Sequence, residues 1–227
     1  MQAEEIKQTP INEVVNMDVL RFMQPGCRGV VEVGSSSGAL ARAYRDINPA
    51  CSYVGIEIDA DYAKASERHC TEVILGNVEN IDDATFARLG QADCWVFADA
   101  LEHLYDPWKL LRRIKASAHN GVDVVACIPN AQYWALQSTM NSGRFIYQDS
   151  GLLDRTHIRW LTRITMIDMF NANGYEVKEM ISRLMQQPGP DMVEALRMMA
   201  KASGNDPEMA VQDALPFQYV IRASATR

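Results

Sequence analysis

The chain has 227 residues, of which 48% are hydrophobic, and a formal net charge of −7 at pH 7. This composition supplies enough apolar material for one sizeable core, whereas its acidic balance has the wrong sign for gathering nucleic-acid phosphates. The first residues, MQAEEIKQTP, contain no apolar targeting segment, and nowhere is there an uncharged apolar stretch of about 18 residues. We therefore expect a cytoplasmic protein with no nucleic-acid partner and no membrane insertion.

From Gly29 to Cys127 the sequence alternates short apolar strands with helical patterns. Near-continuous apolar runs are typical of parallel strands that are covered on both faces. The predicted strands are 29–33, 52–57, 72–75, 94–98 and 122–128, and the helical patterns include ALARAYRDI, DADYAKASERH and DPWKLLRRIKASA. This alternation predicts an α/β fold with a doubly wound, mostly parallel sheet and right-handed crossovers.

The segments on either side of this core have different patterns. INEVVNMDVLRFM, at 11–23, predicts an amphipathic helix that ends at Pro25. The stretch 129–160 is rich in Asn, Gln, Gly and aromatic residues, which suits a substrate-facing segment. After it we predict a helix near 162–173, the strand YEVKEMI, a break at 187–190, a Met-rich helix and a last strand, FQYVIRAS. The five cysteines form no C-x-x-C pair, which predicts reduced, mostly buried thiols.

A glycine turn, VVEVGSSSGALAR, lies between the first strand and its helix. A dinucleotide fingerprint would need glycines at positions 34, 36 and 39, but Ser36 and Ala39 occupy two of them. G-x-S-x-G also matches, with Ser36 as a hydrolase nucleophile; that fold needs earlier strands, and only about 30 residues precede the turn. Gly34 and Gly38 remain candidates for a close approach of ligand to backbone, or for a turn without a ligand.

Polar side chains lie at the ends of the predicted strands. Glu57 ends the second strand, where a carboxylate can accept both hydroxyls of a ribose. Asn77 follows the third strand and suits the edge of an adenine, although a simple Asx turn explains it equally well. Glu32 lies inside an apolar strand, and a buried carboxylate needs a partner such as the amino group of a ligand.

With Glu32, Gly34, Gly38, Glu57 and Asn77 in this order, the chain resembles the class I S-adenosylmethionine-dependent methyltransferases. VFADALEHLYDPWKLLRRIK resembles the fourth-strand motif and following helix of that family, whereas Ser36 replaces the middle glycine of its turn. The resemblance implies a Rossmann-like sheet of seven strands in one domain over 1–227. Its parts are an N-terminal helical segment (1–28), a cofactor-binding core (29–128) and an acceptor-side segment with the final strands and helical elaborations (129–227).

The resemblance also implies S-adenosylmethionine as cofactor and S-adenosylhomocysteine as product. The residues expected at the cofactor are Glu32, Gly34, Ser35, Ser36, Gly38, Glu57, Ile58, Asn77, Val78, Asp99 and Ala100.

The acceptor side has a resemblance of its own. SGRFIYQDSGLLDRTHIRWLT is similar to a stretch in methyltransferases of bacterial cell-surface and polysaccharide biosynthesis, some of them fused to glycosyltransferases. This likeness implies a sugar, sugar nucleotide or glycan as the acceptor, and association with glycosyltransferases. Three alternatives stay open: a methyltransferase-like binding or scaffolding domain without turnover, a protein acceptor, and a homodimer with the C-terminal methionines at the subunit contact.

Transfer to a hydroxyl or an amine requires that the acceptor lose a proton, and histidine suits this near neutral pH. Of the four histidines, His69 and His119 are expected to be exposed and ordinary. His103 follows the fourth strand and His157 lies in the acceptor-side segment, so both are candidate bases or else structural histidines. None of the four forms a pair at metal-ligand spacing in the sequence, so we expect no metal.

Basic residues crowd into the acceptor-side segment of this acidic chain. They are predicted, together with a tyrosine, to grip a phosphate or carboxylate of the acceptor; ion pairing with Asp149 and Asp154 is the alternative. The residues expected to bind the acceptor are Arg144, Tyr147, Arg155 and Arg159, with Arg163 nearby.

Overall fold

The computed structural model describes residues 13–118 and 121–226. The strands are β1 (Gly29–Val33), β2 (Ser52–Glu57), β3 (Glu72–Leu75), β4 (Cys94–Ala98), β5 (Asp123–Pro129), β6 (Tyr175–Leu184) and β7 (Pro216–Ala225). The helices are α1 (Met17–Phe22), α2 (Ala39–Ile47), α3 (Ala60–Ser66), α4 (Asp83–Leu89), α5 (Pro107–Ser117), α6 (Trp134–Asn141), α7 (Arg163–Ala172), α8 (Pro190–Ala202) and α9 (Pro207–Ala214). Two short 3-10 helices span Val78–Asn80 and Leu101–His103.

The seven strands form one sheet in the order β3-β2-β1-β4-β5-β7-β6. Strands β1 to β5 pair in parallel, whereas β7 runs antiparallel to both β5 and β6. The predicted doubly wound, mostly parallel sheet of seven strands is therefore confirmed. The strand order reverses between β1 and β4, and ligands of open α/β sheets bind at such a switch point, outside the carboxyl ends of the strands.

Alternate residues of the central strands pack into two separate cores. On β4, Trp95 and Phe97 face the core that α4, α5 and α7 complete, while Cys94 and Val96 face the core that contains α1 and α2. Because side chains of a strand point alternately to opposite faces, a strand covered on both faces must be apolar throughout. This is why the predicted strands could be read from continuous apolar runs.

Several helix starts follow from local sequence. Asp106 accepts a hydrogen bond from the Lys109 N–H and precedes Pro107, a favoured residue at the first helical position. At the predicted break of 187–190, Pro190 is instead the first residue of α8. A proline there gives up only an N–H that has no helical partner anyway.

The predicted N-terminal helix at 11–23 is too long. The helix α1 begins at Met17, because Asn16 caps it by accepting a hydrogen bond from the Val19 N–H, and residues 13–16 are not helical. Residues 11 and 12 lie outside the described residues. Helices α4 and α6 were not predicted, and the predicted Met-rich helical stretch forms two helices, α8 and α9. Helix α6 lies within the polar stretch 129–160, and Leu136 is its one buried residue.

The thiol prediction is confirmed, since all five cysteines are buried and free. Within the ranges 13–118 and 121–226, no helix is both long and apolar enough to cross a membrane.

Candidate active site

A cavity of about 500 Å³ opens at the carboxyl edge of the parallel strands. Its lining includes one residue at or just after the end of each of β1 to β5, namely Gly34, Glu57, Asn77, Asp99 and Pro129. Ligand pockets for small molecules usually have volumes of roughly 300 to 1,000 Å³. The cavity therefore has the position and the size of a small-molecule site.

The residues predicted to contact the cofactor converge on this cavity, with one exception. Those that line it are Glu32, Gly34, Ser35, Ser36, Glu57, Ile58, Asn77, Val78, Asp99 and Ala100. Gly38 is not among the lining residues; it precedes α2 with a φ of +76°, and a Cβ there would come within 3.1 Å of Ser66 and His69. Gly38 therefore allows close packing against the α3 region, while its neighbours Ser37 and Ala39 line the cavity.

The turn after β1 is left-handed despite its missing glycine. Gly34 has a φ of +77° and Ser36 has a φ of +46°, a region that residues with a Cβ rarely enter. The Ser36 N–H donates a hydrogen bond of 2.9 Å to Glu57 Oε2. The serine therefore takes up the conformation of the glycine it replaces and connects the turn to β2.

Glu57 is held by the backbone on three sides. Besides Ser36, the N–H groups of Ile58 and Asp59 donate to Oε1 at 2.8 and 3.0 Å. A carboxylate offers about four lone-pair positions, so acceptor capacity remains for ligand hydroxyls. The acid that the sequence pattern assigned to a ribose is 5% exposed, and these backbone hydrogen bonds fix its orientation.

Glu32 has a partner within the protein. The Tyr53 hydroxyl donates to Glu32 Oε2 at 2.9 Å, so the expected need for a ligand amino group is met in part by the chain itself. Burial raises the pKa of Glu32 to about 8, against the opposing effect of the Tyr53 hydrogen bond. At neutral pH this side chain is therefore mostly protonated.

Asn77 makes the Asx turn that the sequence allowed. Its Oδ1 accepts a hydrogen bond of 2.8 Å from the Glu79 N–H, which starts the first 3-10 helix. Asn77 also lines the cavity, so its amide NH2 is the group best placed to donate to a ligand.

Asp99 belongs to a network of polar side chains, part of which lines the cavity. Its carboxylate accepts a hydrogen bond from the Gln218 amide, and Gln218 in turn accepts from Arg183 at 2.7 Å. Although Asp99 is exposed to the cavity, surrounding protein desolvates it, and this raises its pKa. Asp99 also has a left-handed φ of +58°, which turns the chain sharply after β4.

At another part of the cavity lining, His103 and His157 pack edge to face with ring centroids 4.8 Å apart. Glu102 lies beside them, with its Oε1 3.8 Å from His157 Nε2. One ligand atom of each of these three side chains lies within 4.8 Å of the others. Burial and the neighbouring His157 lower the pKa of His103, while burial and Asp99 raise the pKa of Glu102 well above its usual value.

Backbone hydrogen bonds bring the acceptor-side segment to this point. The Glu102 carbonyl accepts from the N–H groups of Ile158 and Arg159 at 2.9 and 3.0 Å. Asp154 accepts from the Thr156 N–H and hydroxyl at 2.8 and 2.6 Å, which shapes the turn before His157. The two histidines are far apart in sequence and meet because of this docking.

The structure does not place His69 in this cluster. His69 is half-buried instead of exposed, and His119 lies outside the described residues.

The predicted acceptor-binding residues do not line the cavity. Arg155 forms an ion pair of 2.8 Å with Asp149, as the alternative reading expected. Arg159 donates to the Tyr105 carbonyl and lies over the rings of Tyr105 and Trp108, so it fastens the segment to the start of α5. Arg144 and Tyr147 are exposed on the stretch that leads to the cavity.

A family model described as a methyltransferase domain matches residues 13–180. The chain belongs to this family. A comparison with curated protein sequences finds no match. The resemblance to class I S-adenosylmethionine-dependent methyltransferases is thereby confirmed at the level of family and fold.

Solved structures of methyltransferases share this fold at low sequence identity. An S-adenosylmethionine-dependent methyltransferase from Thermotoga maritima has a TM-score of 0.61 and 14% identity, with 92% of this chain and 87% of that chain covered. Magnesium protoporphyrin IX methyltransferase from Synechocystis, with bound S-adenosylhomocysteine, has a TM-score of 0.55 and 8% identity, with 87% of this chain and 74% of that chain covered. The plantazolicin methyltransferase, also in complex with S-adenosylhomocysteine, has a TM-score of 0.59 and 11% identity, with 92% of this chain and 81% of that chain covered.

Sequence analysis did not predict a role for three further residues that line the cavity: Glu102, Thr156 and Gln218. Glu102 was read only as part of a helix motif, although it directly precedes His103. Gln218 and Thr156 carried no local signal, because their roles depend on contacts with Asp99 and His103 from distant parts of the chain.

Proposed function

We propose that this methyltransferase binds S-adenosylmethionine in the cavity and transfers its methyl group to a hydroxyl or amine of a sugar, sugar nucleotide or glycan. The observation that carries the proposal is the convergence, on one cavity, of the ordered carboxylate Glu57 with the imidazoles of His103 and His157. The Glu57 carboxylate can accept hydrogen bonds from the hydroxyls of a nucleoside, and the imidazoles can accept a proton from the acceptor's reacting group.

The lining residues fit the parts of the cofactor. Glu57 keeps free acceptor positions for ribose hydroxyls, and Asn77 offers an amide donor to an adenine. Ile58 and Val78 provide apolar contact for a base. At Gly34 an added Cβ would meet only the Ala100 Cβ, at 3.6 Å, so the missing side chain leaves room at the turn for a ligand. When bound, the cofactor supplies a methyl group on an already activated sulfonium.

The chain's own contribution to transfer is orientation and proton handling. Holding the acceptor atom in line with the methyl group can contribute on the order of 7 to 11 kcal/mol. His103 and His157 are the residues we assign to the acceptor's reacting group, because their rings line the cavity and meet beside it. We regard both as catalytic residues.

The acceptor class is supported by the exposed segment next to the cavity. Gly151 and Leu152 belong to the cavity lining, and Arg144 and Tyr147 precede them on an exposed stretch. An acceptor larger than the cavity, such as a glycan, extends over this stretch, where arginine and tyrosine bind phosphate, carboxylate and sugar groups. The likeness of 142–162 to polysaccharide-modifying methyltransferases supports the same class.

Calorimetry with the purified chain tests the cofactor. We expect S-adenosylmethionine and S-adenosylhomocysteine to bind with dissociation constants on the order of micromolar, and NAD not to bind. Tight binding of NAD without a response to either sulfur compound contradicts the proposal.

A second experiment tests turnover. Labelled S-adenosylmethionine is incubated with the protein and a panel of nucleotide sugars and oligosaccharides, with peptides and simple amines for comparison. Label transfer to a sugar supports the proposal, whereas transfer only to peptides overturns the acceptor class. Cofactor binding without transfer to any of them favours a binding domain.

A further inference from the structure

The three side chains of Glu102, His103 and His157 form a compact set of metal-ligating groups. One donor atom of each lies within 4.8 Å of the other two, and the cluster borders the cavity. Two imidazoles and one carboxylate with open positions are the donor set of catalytic zinc and non-haem iron sites. Sequence analysis did not predict that these three side chains meet, because His157 reaches the other two only through the docked acceptor-side segment.

Hydrogen bonds fix which ring nitrogen each histidine presents. His157 Nδ1 lies 3.0 Å from the Leu152 carbonyl, which can only accept, so Nδ1 carries the proton. His103 Nδ1 lies 2.9 Å from Thr156 Oγ1. The Thr156 hydroxyl hydrogen is already donated to Asp154 Oδ1 at 2.6 Å, so His103 Nδ1 must be the donor.

Both histidines therefore keep their Nε2 lone pairs free in the neutral form. A second residue that orients a histidine through its other nitrogen is the usual arrangement around protein-bound metals. Asp154 and Thr156 form such a support for His103, and the Leu152 carbonyl forms one for His157.

Glu102 supplies the second, independent observation. Its side chain is 1% exposed, and neither carboxylate oxygen has a hydrogen-bond partner. The 3.8 Å between Oε1 and His157 Nε2 is too long for a hydrogen bond. Leaving a buried carboxyl group without a partner costs free energy, and nearby Asp99 adds to that cost for its charged form. A cation between Glu102 and the two imidazoles removes this cost.

We propose that Glu102, His103 and His157 bind a divalent first-row transition-metal ion whose remaining coordination positions face the cavity. Imidazole nitrogen favours zinc, copper, iron or nickel over calcium, which prefers oxygen ligands. Ligand atoms of a tetrahedral zinc site lie roughly 3.4 Å apart, so the widest gap in the cluster has to close by about 1.4 Å.

The ion's role in methyl transfer rests on the proposed function. There it would act as a Lewis acid that polarises the acceptor oxygen and lowers the pKa of its hydroxyl, so that the proton passes to solvent water instead of to a histidine. Metal binding itself does not depend on methyl transfer.

Cobalt(II) titration of the full chain, stripped beforehand with EDTA, tests the site. We expect one equivalent to bind with a visible absorption spectrum typical of nitrogen and oxygen ligands at low coordination number. Zinc should displace it. The variants Glu102→Gln and His157→Asn should each bind cobalt at least about 100-fold more weakly, and Thr156→Val, which only supports His103, about 10- to 100-fold more weakly.

Matched controls are Glu67→Gln and His69→Asn, which remove the same functional groups away from the cavity and should bind cobalt like the wild type. Circular dichroism and thermal unfolding of each variant report that it is folded. His103→Asn replaces Glu102→Gln if the latter does not fold.

Failure of the wild type to bind cobalt, or equal binding by Glu102→Gln and His157→Asn, overturns the metal site. Wild-type binding of S-adenosylhomocysteine without cobalt overturns the metal site alone. Cobalt binding that the variants abolish, without any cofactor binding, supports the metal site and overturns the proposed function.

Discussion

The N–H of Ser36 and the carboxylate of Glu57 are joined by a hydrogen bond of 2.9 Å that spans the ends of β1 and β2. With the Ile58 and Asp59 N–H groups on the other oxygen, it fixes the orientation of the acid that we propose binds the ribose. Charge-assisted hydrogen bonds of this kind are stronger than neutral ones. The turn and the acid therefore act as one preformed unit.

Glu57→Gln should weaken S-adenosylhomocysteine binding by about 3- to 15-fold, because a charge-assisted hydrogen bond to ribose, worth roughly 1.5 to 3 kcal/mol, is replaced by a neutral one worth roughly half as much. Calorimetry measures this directly. Glu67→Gln, an equal change of charge at an exposed position, should leave affinity unchanged. If both variants bind like the wild type, Glu57 serves only the turn.

Ser36→Gly should stabilise the protein. The left-handed φ of +46° is strained for serine by about 1 to 2 kcal/mol, of which the greater backbone entropy of glycine in the unfolded chain cancels about half. We therefore expect the free energy of unfolding to rise by about 0.5 to 1 kcal/mol in urea titrations. Ser36→Ala, which keeps the strain, is the matched comparison. A less stable glycine variant would mean that the serine hydroxyl has a stabilising partner.

The residues at the strand ends were predictable because their positions depend on short, local sequence patterns. Each of Gly34, Glu57 and Asn77 follows a short apolar run, and parallel strands bring their carboxyl ends to one edge. Gly38 was assigned to the ligand on the same grounds. Its packing against Ser66 depends on a helix-to-helix distance that no local pattern contains.

Glu32→Gln should change how stability depends on pH. The folded-state pKa of Glu32 is raised from 4.5 to about 8 by burial, so between these values the folded state binds more protons than the unfolded state. The free energy of unfolding of the wild type therefore falls as pH rises from about 4.5 to 8. Glutamine does not titrate, so the variant lacks this loss.

Urea titrations at pH 5 and pH 8 measure the effect. The stability of Glu32→Gln relative to the wild type should increase between these pH values, by a few kcal/mol at most. Glu67→Gln, at an exposed position, should give the same difference at both. A relative stability of Glu32→Gln that falls with pH would show that the Glu32 carboxylate is stabilised in its charged form.

Arg163 shows that part of the arginine-rich stretch has structural partners that the sequence did not indicate. Its guanidinium makes two hydrogen bonds, of 2.6 and 3.1 Å, to the buried carboxylate of Asp213 at the end of α9. The sequence placed the arginines near one another but did not contain the position of α9. Arg159 likewise has a partner within the protein, the carbonyl of Tyr105.

Arg163→Met should lower the free energy of unfolding by about 1 to 3 kcal/mol, because Asp213 keeps its buried charge without a partner. Thermal and urea unfolding measure the loss. Arg197→Met is a close control: Arg197 bonds Glu208 at 2.7 and 3.1 Å with the same geometry, but at an exposed site. Equal losses in both variants would mean that burial of Asp213 does not matter.

The meeting of His103 with His157 was the part of the site least accessible from sequence. Both were singled out as candidate bases, but their contact depends on two hydrogen bonds to the Glu102 carbonyl from the segment after His157. The donor set completed by Glu102 arises only from that docking, and this is why the sequence predicted a site without a metal.

The last prediction concerns turnover with the fastest acceptor of the sugar panel. His157→Asn and His103→Asn should each lower kcat by about 100- to 10,000-fold while S-adenosylhomocysteine affinity stays near the wild type, because both rings serve the acceptor's proton instead of the donor. His69→Asn should be fully active. If the ion proposed at Glu102 is required, treatment with EDTA reproduces the loss in the wild type, and cobalt or manganese restores activity. Loss in the histidine variants with full activity after EDTA would identify a histidine as the direct base. If both single variants and the stripped wild type remain fully active, transfer depends on alignment of acceptor and cofactor alone.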